Sequence, residues 1–150
     1  MSHRVEFAMF AGELAESLSF NKSIGQIFGF LYLSPEPLSL DEISSRLSMS
    51  KGNASINLRY LEAWGAVRPV AMSGTRRDHY QANANLKEII LRRVEEGISR
   101  RLDLAEERLG QIGLPSDPHT RKKIQDLRNL VGASRKALKI LPGFLKFLPK

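Results

Sequence analysis

The stretch from Leu38 to Ala82 constrains what this chain can fold into more than any other. Ser39-Leu-Asp-Glu42 sets a hydroxyl three residues before a carboxylate. At that spacing each side chain satisfies a free backbone N–H of the other at a helix start. A short helix is predicted from there to about Leu47, with Leu40, Ile43 and Leu47 as its apolar stripe. Met49-Ser50 is a turn, and Ser50 caps a second helix running from Lys51 to about Trp64. Gly65 stops that helix. Ala66–Ala71 and Arg77–Ala82 then read as two strands around a tip, Met72–Arg76, that contains Gly74.

Helix, turn, helix and hairpin in that order are the layout of a winged helix-turn-helix, which lays its second helix in the major groove of duplex DNA. Such a helix needs one face to anchor it and another to read. Along Lys51–Trp64, at about 100° per residue, Ala54, Leu58 and Leu61 fall on one side and are expected to pack on the preceding helix. Gly52, Ser55, Ile56 and Arg59 fall on the other, with Lys51 and Asn53 beside them at the N-terminal end. Arg pairs bidentately with guanine, Asn with adenine, Ser bonds either kind of edge, and an aliphatic side chain suits the thymine methyl. Gly52 permits close backbone approach, and the helix N-terminus favours phosphate. Ser50 at the cap and Asn57 one turn beyond Asn53 complete the candidate set. Arg76 and Arg77, beside the glycine of the hairpin tip, are expected to enter the minor groove or straddle phosphates. Taken singly, each of these residues reads as an ordinary solvated side chain; their combination with the capping box, the turn and the hairpin favours DNA.

Helices are predicted on both sides of this segment. His3 to Leu18 is amphipathic, and a second helix, capped by Ser19 or Asn21, runs to about Leu33. That second helix is apolar on nearly every side, and Gly25 and Gly29 allow a neighbour to approach closely. Pro35 and Pro37 then break it. A long helix from about Asn85 to Gln111 carries Val94, Ile98, Leu102, Ala105, Leu109 and Ile112 at coiled-coil spacing. A final helix is predicted over about Thr120 to Leu141, followed by an apolar, basic tail. The expected fold is mainly α with a small β-hairpin wing. Residues 1–150 are read as one domain, with 19–84 as the DNA-binding winged helix and 1–18 and 85–150 as a helical dimerisation region.

Composition sets the remaining bounds. The chain has no cysteine, which excludes disulfides, thiolate nucleophiles and Cys-ligated metals. His3, His79 and His119 are too scattered in sequence for a metal site. No phosphate-binding glycine loop, Ser–His–Asp set or carboxylate pair stands out, so no enzyme activity and no cofactor are expected. The first twenty residues place acids inside their apolar stretch and lack a cleavage pattern, unlike a signal peptide. A soluble cytoplasmic protein without membrane contact is expected. The formal net charge is +7, but its placement is uneven. Residues 121–150 hold nine Lys or Arg against Asp126, whereas Ser50–Ala82 holds five against Glu62 and Asp78. The local excess in the reading segment is therefore modest, and the basic end suits flanking phosphates or an acidic surface of a partner subunit.

The words IGQIFGFLYLS, MSKGNASINLRYLE and GTRRDHYQA resemble the GbsR-type branch of the MarR-like winged-helix regulators. The resemblance spans residues 23–33 and 38–82. It implies a homodimeric transcription regulator whose DNA contacts are Lys51, Gly52, Asn53, Ser55, Ile56 and Arg59, with the wing role on Arg76 and Arg77. Some members of that branch respond to a small osmolyte, so a small-molecule effector of unknown identity is expected. The mechanism expected for such a dimer is repression by occlusion of a roughly two-fold symmetric operator, with a ligand altering the spacing of the two reading helices, although no ligand site is visible in the sequence. The rival reading is a winged helix used for protein–protein contact, which would present an apolar patch where this chain has Lys51, Asn53, Ser55 and Arg59.

Overall fold

A computed structural model of the protein describes residues 2–76 and 78–149. The chain opens with α1 (His3–Ser17) and α2 (Lys22–Tyr32). Of the two predicted caps for α2, Asn21 serves: its Oδ1 accepts the Ser23 N–H at 2.8 Å. Ser19 instead takes a left-handed conformation, φ 63°, in the turn that leaves α1. The two helices lie backbone to backbone, as the glycine pattern implied. A Cβ on Gly25 would sit 2.2 Å from the Ala11 carbonyl oxygen, and one on Gly29 would sit 2.7 Å from the Ala11 Cβ. Only a missing side chain allows that approach.

After the Pro35–Pro37 break, Leu38–Ser39 forms a two-residue strand, β1, that leads straight into α3 (Leu40–Arg46). The turn at Ser48, φ 51°, then delivers α4 (Lys51–Ala63). Trp64 caps α4, and Gly65, φ 69°, turns the chain into β2 (Val67–Val70) and β3 (His79–Ala82). The strands are antiparallel in the order β1-β3-β2, with Leu38 opposite Tyr80 and Arg68 opposite Gln81. The expected hairpin is therefore two strands of a three-stranded sheet. Strand β1 leaves little trace in the sequence, because two residues cannot display alternation and its second residue is also the helix cap.

The core of this region forms where α2, α3 and α4 meet. Ile27, Leu31, Ile43, Leu58 and Leu61 are the largest fully buried side chains, with Phe30, Leu47, Ala54, Ala66 and Val67 around them. Leu40, Trp64 and Tyr80 are partly buried against it. The apolar stripes read on α3 and α4 thus face inward, whereas on the long helix only Val94 is buried and Ile98 and Ile112 stay exposed.

From Leu86 to Gln111 the chain is helical, as expected, but in three parts: α5 (Leu86–Arg92), a π-helical segment (Arg93–Ser99) and α6 (Arg100–Gln111). The last helix, α7 (Pro118–Leu145), exceeds its predicted limits at both ends. Asp117 caps it by accepting the Thr120 N–H at 2.8 Å, and Pro118 occupies the first turn, where the N–H it lacks would be unpaired anyway. At the other end α7 continues through Pro142, whose ring costs one backbone bond without ending the helix. Arg128 on α7 caps the end of α6, donating Nη2 to the carbonyls of Leu109 and Ile112 at 2.7 Å each. Arg135 bridges Asp103, 2.5 Å away, and Glu106. Two compact units result, Met1–Ile89 and Ile90–Lys150. Among the described residues no helix is long and apolar enough to cross a membrane.

Candidate nucleic-acid interface

The start of α4 is fixed from several directions. Ser50 Oγ accepts the Asn53 N–H at 3.1 Å, so the predicted cap is in place and its hydroxyl is engaged there. Ahead of it, the α3 capping box is complete. The Ser39 N–H donates to Glu42 Oε2 at 2.8 Å, and the Glu42 N–H donates back to Ser39 Oγ at 3.3 Å. These bonds hold the Glu42 carboxyl below its usual titration range: the Ser39 backbone N–H contributes most, the Ser39 hydroxyl next, while burial opposes them. Because Ser39 is also paired in the sheet, the cap ties α3 to β3 as well as starting it.

The outward face of α4 carries most of the expected residues. Gly52 is exposed, with nothing within 4 Å of where its Cβ would lie. Arg59 is exposed, Ile56 is 55% exposed, and Ser55 is half-buried beside them. Lys51 is exposed but not idle: its Nζ lies 2.6 Å from Asp41 Oδ1 on α3. Tyr60, whose apolar ring reads as core in the sequence, instead adds an exposed ring to this face, tilted at 39° to Trp64 with centroids 6.5 Å apart. Its position four residues after Ile56 was the available signal.

Asn57 requires a correction. It is 2% exposed and cannot reach a groove. Its Nδ2 donates to the Asn53 backbone carbonyl at 2.8 Å and to Asn53 Oδ1 at 2.6 Å. The helix geometry already contained this result. Asn57 lies three residues after Ala54 and four before Leu61, on the buried side; its polar identity misdirected the reading. Asn53 is half-buried, and its own Nδ2 donates to Ser23 Oγ at 3.0 Å.

The wing carries Arg68 on its outer strand, donating across the pair to Gln81 Oε1 at 3.0 Å. The tip turns at Gly74, φ 82°, and presents Ser73, Thr75 and Arg76 to solvent. Arg77 lies outside the described residues. Beneath the wing, burial is the main cause that pushes the Tyr80 hydroxyl above its usual pKa, aided by Glu62 and Asp78 and opposed by Arg59. That hydroxyl therefore remains protonated near neutral pH.

A solved structure of a transcriptional regulator superposes on 97% of this chain and 99% of its own, with a TM-score of 0.69 and 23% identity. The fold is a winged helix. In sequence, the chain is 27% identical over 128 residues to the HTH-type transcriptional regulator MmpR5 of Mycobacterium tuberculosis (strain ATCC 25618 / H37Rv), covering 85% of this chain and 77% of that protein. The S. aureus MepR–DNA complex aligns over 85% of this chain and 90% of its own at 21% identity, with a TM-score of 0.43, too distant to place any residue. No protein-family profile matches the sequence. The likeness in sequence is thus to one HTH-type transcriptional regulator, and the likeness in fold to a solved transcriptional regulator.

Proposed function

We propose that this protein is a sequence-specific, double-stranded DNA-binding transcriptional regulator of the GbsR-type branch, acting as a homodimeric repressor in the cytoplasm and not as an enzyme. The observation that carries the reading is the division of α4. Ala54, Leu58 and Leu61 are sealed in the core, while Gly52, Ile56 and Arg59 stand exposed beside Ser55, with Arg76 presented by the wing of the same unit. A helix anchored so firmly on one face, with guanidinium, hydroxyl and aliphatic groups on the other, has the chemistry of base readout. Arg59 takes guanine, Ile56 the thymine methyl, and Arg76 the minor groove or a phosphate. Lys51 and Gly52 lie where the helix N-terminus meets the backbone.

Dimerisation is supported by the apolar surface that the helices leave uncovered. Phe10, Leu14 and Leu18 on or beside α1, and Leu104, Leu127, Leu130, Ile140 and Phe144 on α6 and α7, are each at least 47% exposed. A second copy would bury them and set two α4 helices about 34 Å apart, one DNA turn. Repression follows by occlusion of the operator, with a small ligand shifting that spacing.

The exposed pair Ile56 and Tyr60 favours a second reading, in which α4 docks another protein. Binding to a fragment library of the source genome at several salt concentrations separates the two. A regulator enriches a palindromic site and loses it in Arg59→Ala. Steep salt dependence without enrichment, unchanged in that variant, would leave only phosphate contact; no binding at all would favour protein docking.

A further inference from the structure

The first turn of α4 is joined to α2 by a chain of side-chain hydrogen bonds as well as by apolar packing. It begins at the buried Asn57, passes through the Asn53 amide, and ends on the Ser23 hydroxyl in the first turn of α2, thirty residues earlier in sequence. Ser23 is itself fixed, because its backbone N–H is held by the Asn21 cap. At Asn53 the carbonyl oxygen accepts from Asn57 while the amide nitrogen donates to Ser23, so the plane of the amide is set from both ends. A bidentate contact to adenine uses the same carbonyl oxygen and the same amide group in one plane. Turning Asn53 toward a base would strip the buried Asn57 of one acceptor and Ser23 of its donor, and unmade buried hydrogen bonds are costly.

We propose that Asn53 is a positioning residue which, with Ser23 and Asn57, sets the angle at which α4 meets DNA, and that discrimination between bases falls to Ser55, Ile56 and Arg59. The inference rests on the DNA-binding reading above and makes Ser23, on another helix, a determinant of affinity. The test is selection of sites from a randomised duplex pool by the full chain and by Ser23→Ala, Asn53→Ala and the double variant, with affinity for the selected site measured for each. Asn57 is left intact because its burial makes any substitution a test of folding.

Each single variant is expected to weaken binding roughly three- to tenfold, the worth of one hydrogen bond. The double variant should be no weaker than the poorer single one, with base preference unchanged at every position. Ser23→Thr, which keeps the hydroxyl, should restore affinity, and all variants should stay folded, with thermal midpoints lowered only by the few degrees that one or two lost hydrogen bonds cost. A loss of base preference at one position in Asn53→Ala alone would make Asn53 a reader and overturn the proposal. Additive losses, a silent Ser23→Ala, or failure of Ser23→Thr to rescue would also overturn it. If the parent chain selects no site, the DNA reading falls and takes this inference with it; the other failures leave that reading standing.

Discussion

At the residue scale, Ser39 shows how much geometry one hydroxyl can hold. It pairs with His79 in the sheet, accepts the Glu42 N–H and donates its own hydroxyl to Glu42 Oε2 at 2.7 Å. Ser39→Ala removes the cap and is expected to cost about 1 kcal/mol, read as a shift in denaturant midpoint. The same contact carries a pH signature. The Glu42 carboxyl titrates lower in the folded chain than in the unfolded one. Its stabilising contribution is therefore complete above the ordinary carboxylate range and lost as pH falls through the depressed folded value. The stability gap between the parent and Glu42→Gln should accordingly narrow on acidification; a gap independent of pH would contradict the assignment. Deeper in, Leu58 is 1% exposed, and Leu58→Ala should cost about 2–5 kcal/mol because the fixed elements around it cannot close the cavity. Most such residues were legible in the sequence because helical spacing and polarity agreed. Asn57 was not, because they disagreed there and spacing prevailed.

At the element scale, the parts with explicit start and stop signals were the ones read correctly. The Ser39–Glu42 box, the Ser50 cap and Gly65 bound α3 and α4 to within a residue or two. The elements that escaped lack such signals. β1 is too short for a period, the π-helical turns at Arg93–Ser99 share their apolar residues with the α-period on either side, and Pro142 marks a stop that the chain overrides. The α1–α2 contact makes a sharper prediction. Since a Cβ on Gly25 would lie 2.2 Å from a backbone oxygen, Gly25→Ala must push the helices apart. The expected cost is about 1–3 kcal/mol or more, the range for overpacking, measured by chemical denaturation. Gly52→Ala, where the space is open, should not destabilise the fold, and by helix propensity should stabilise it by up to about 1 kcal/mol, while weakening DNA affinity.

At the scale of the whole molecule, the uncovered apolar surface and the uneven charge are the features to explain. Leu130 and Phe144 on α7 are 63% and 66% exposed, and the proposed dimer would cover them. Leu130→Asp is expected to convert the proposed dimer to a monomer in sedimentation, without loss of helix content, and to weaken binding to the proposed operator as one half-site is lost. An unchanged sedimentation coefficient would remove α7 from the interface. No sequence period reveals which surface a second copy would cover, since the same stripe can serve packing within a chain or between chains.

The central claim is that the outward face of α4 lies in the major groove, and the absence of cysteine allows a direct test. Ile56→Cys introduces a single thiol at an exposed site on that face, to which a DNA-cleaving iron chelate can be attached. On the enriched operator, cuts should fall in two clusters opening on the major groove, about 34 Å apart along the duplex. Cuts spread evenly along the duplex, or none under conditions where the labelled protein still binds, would contradict the account.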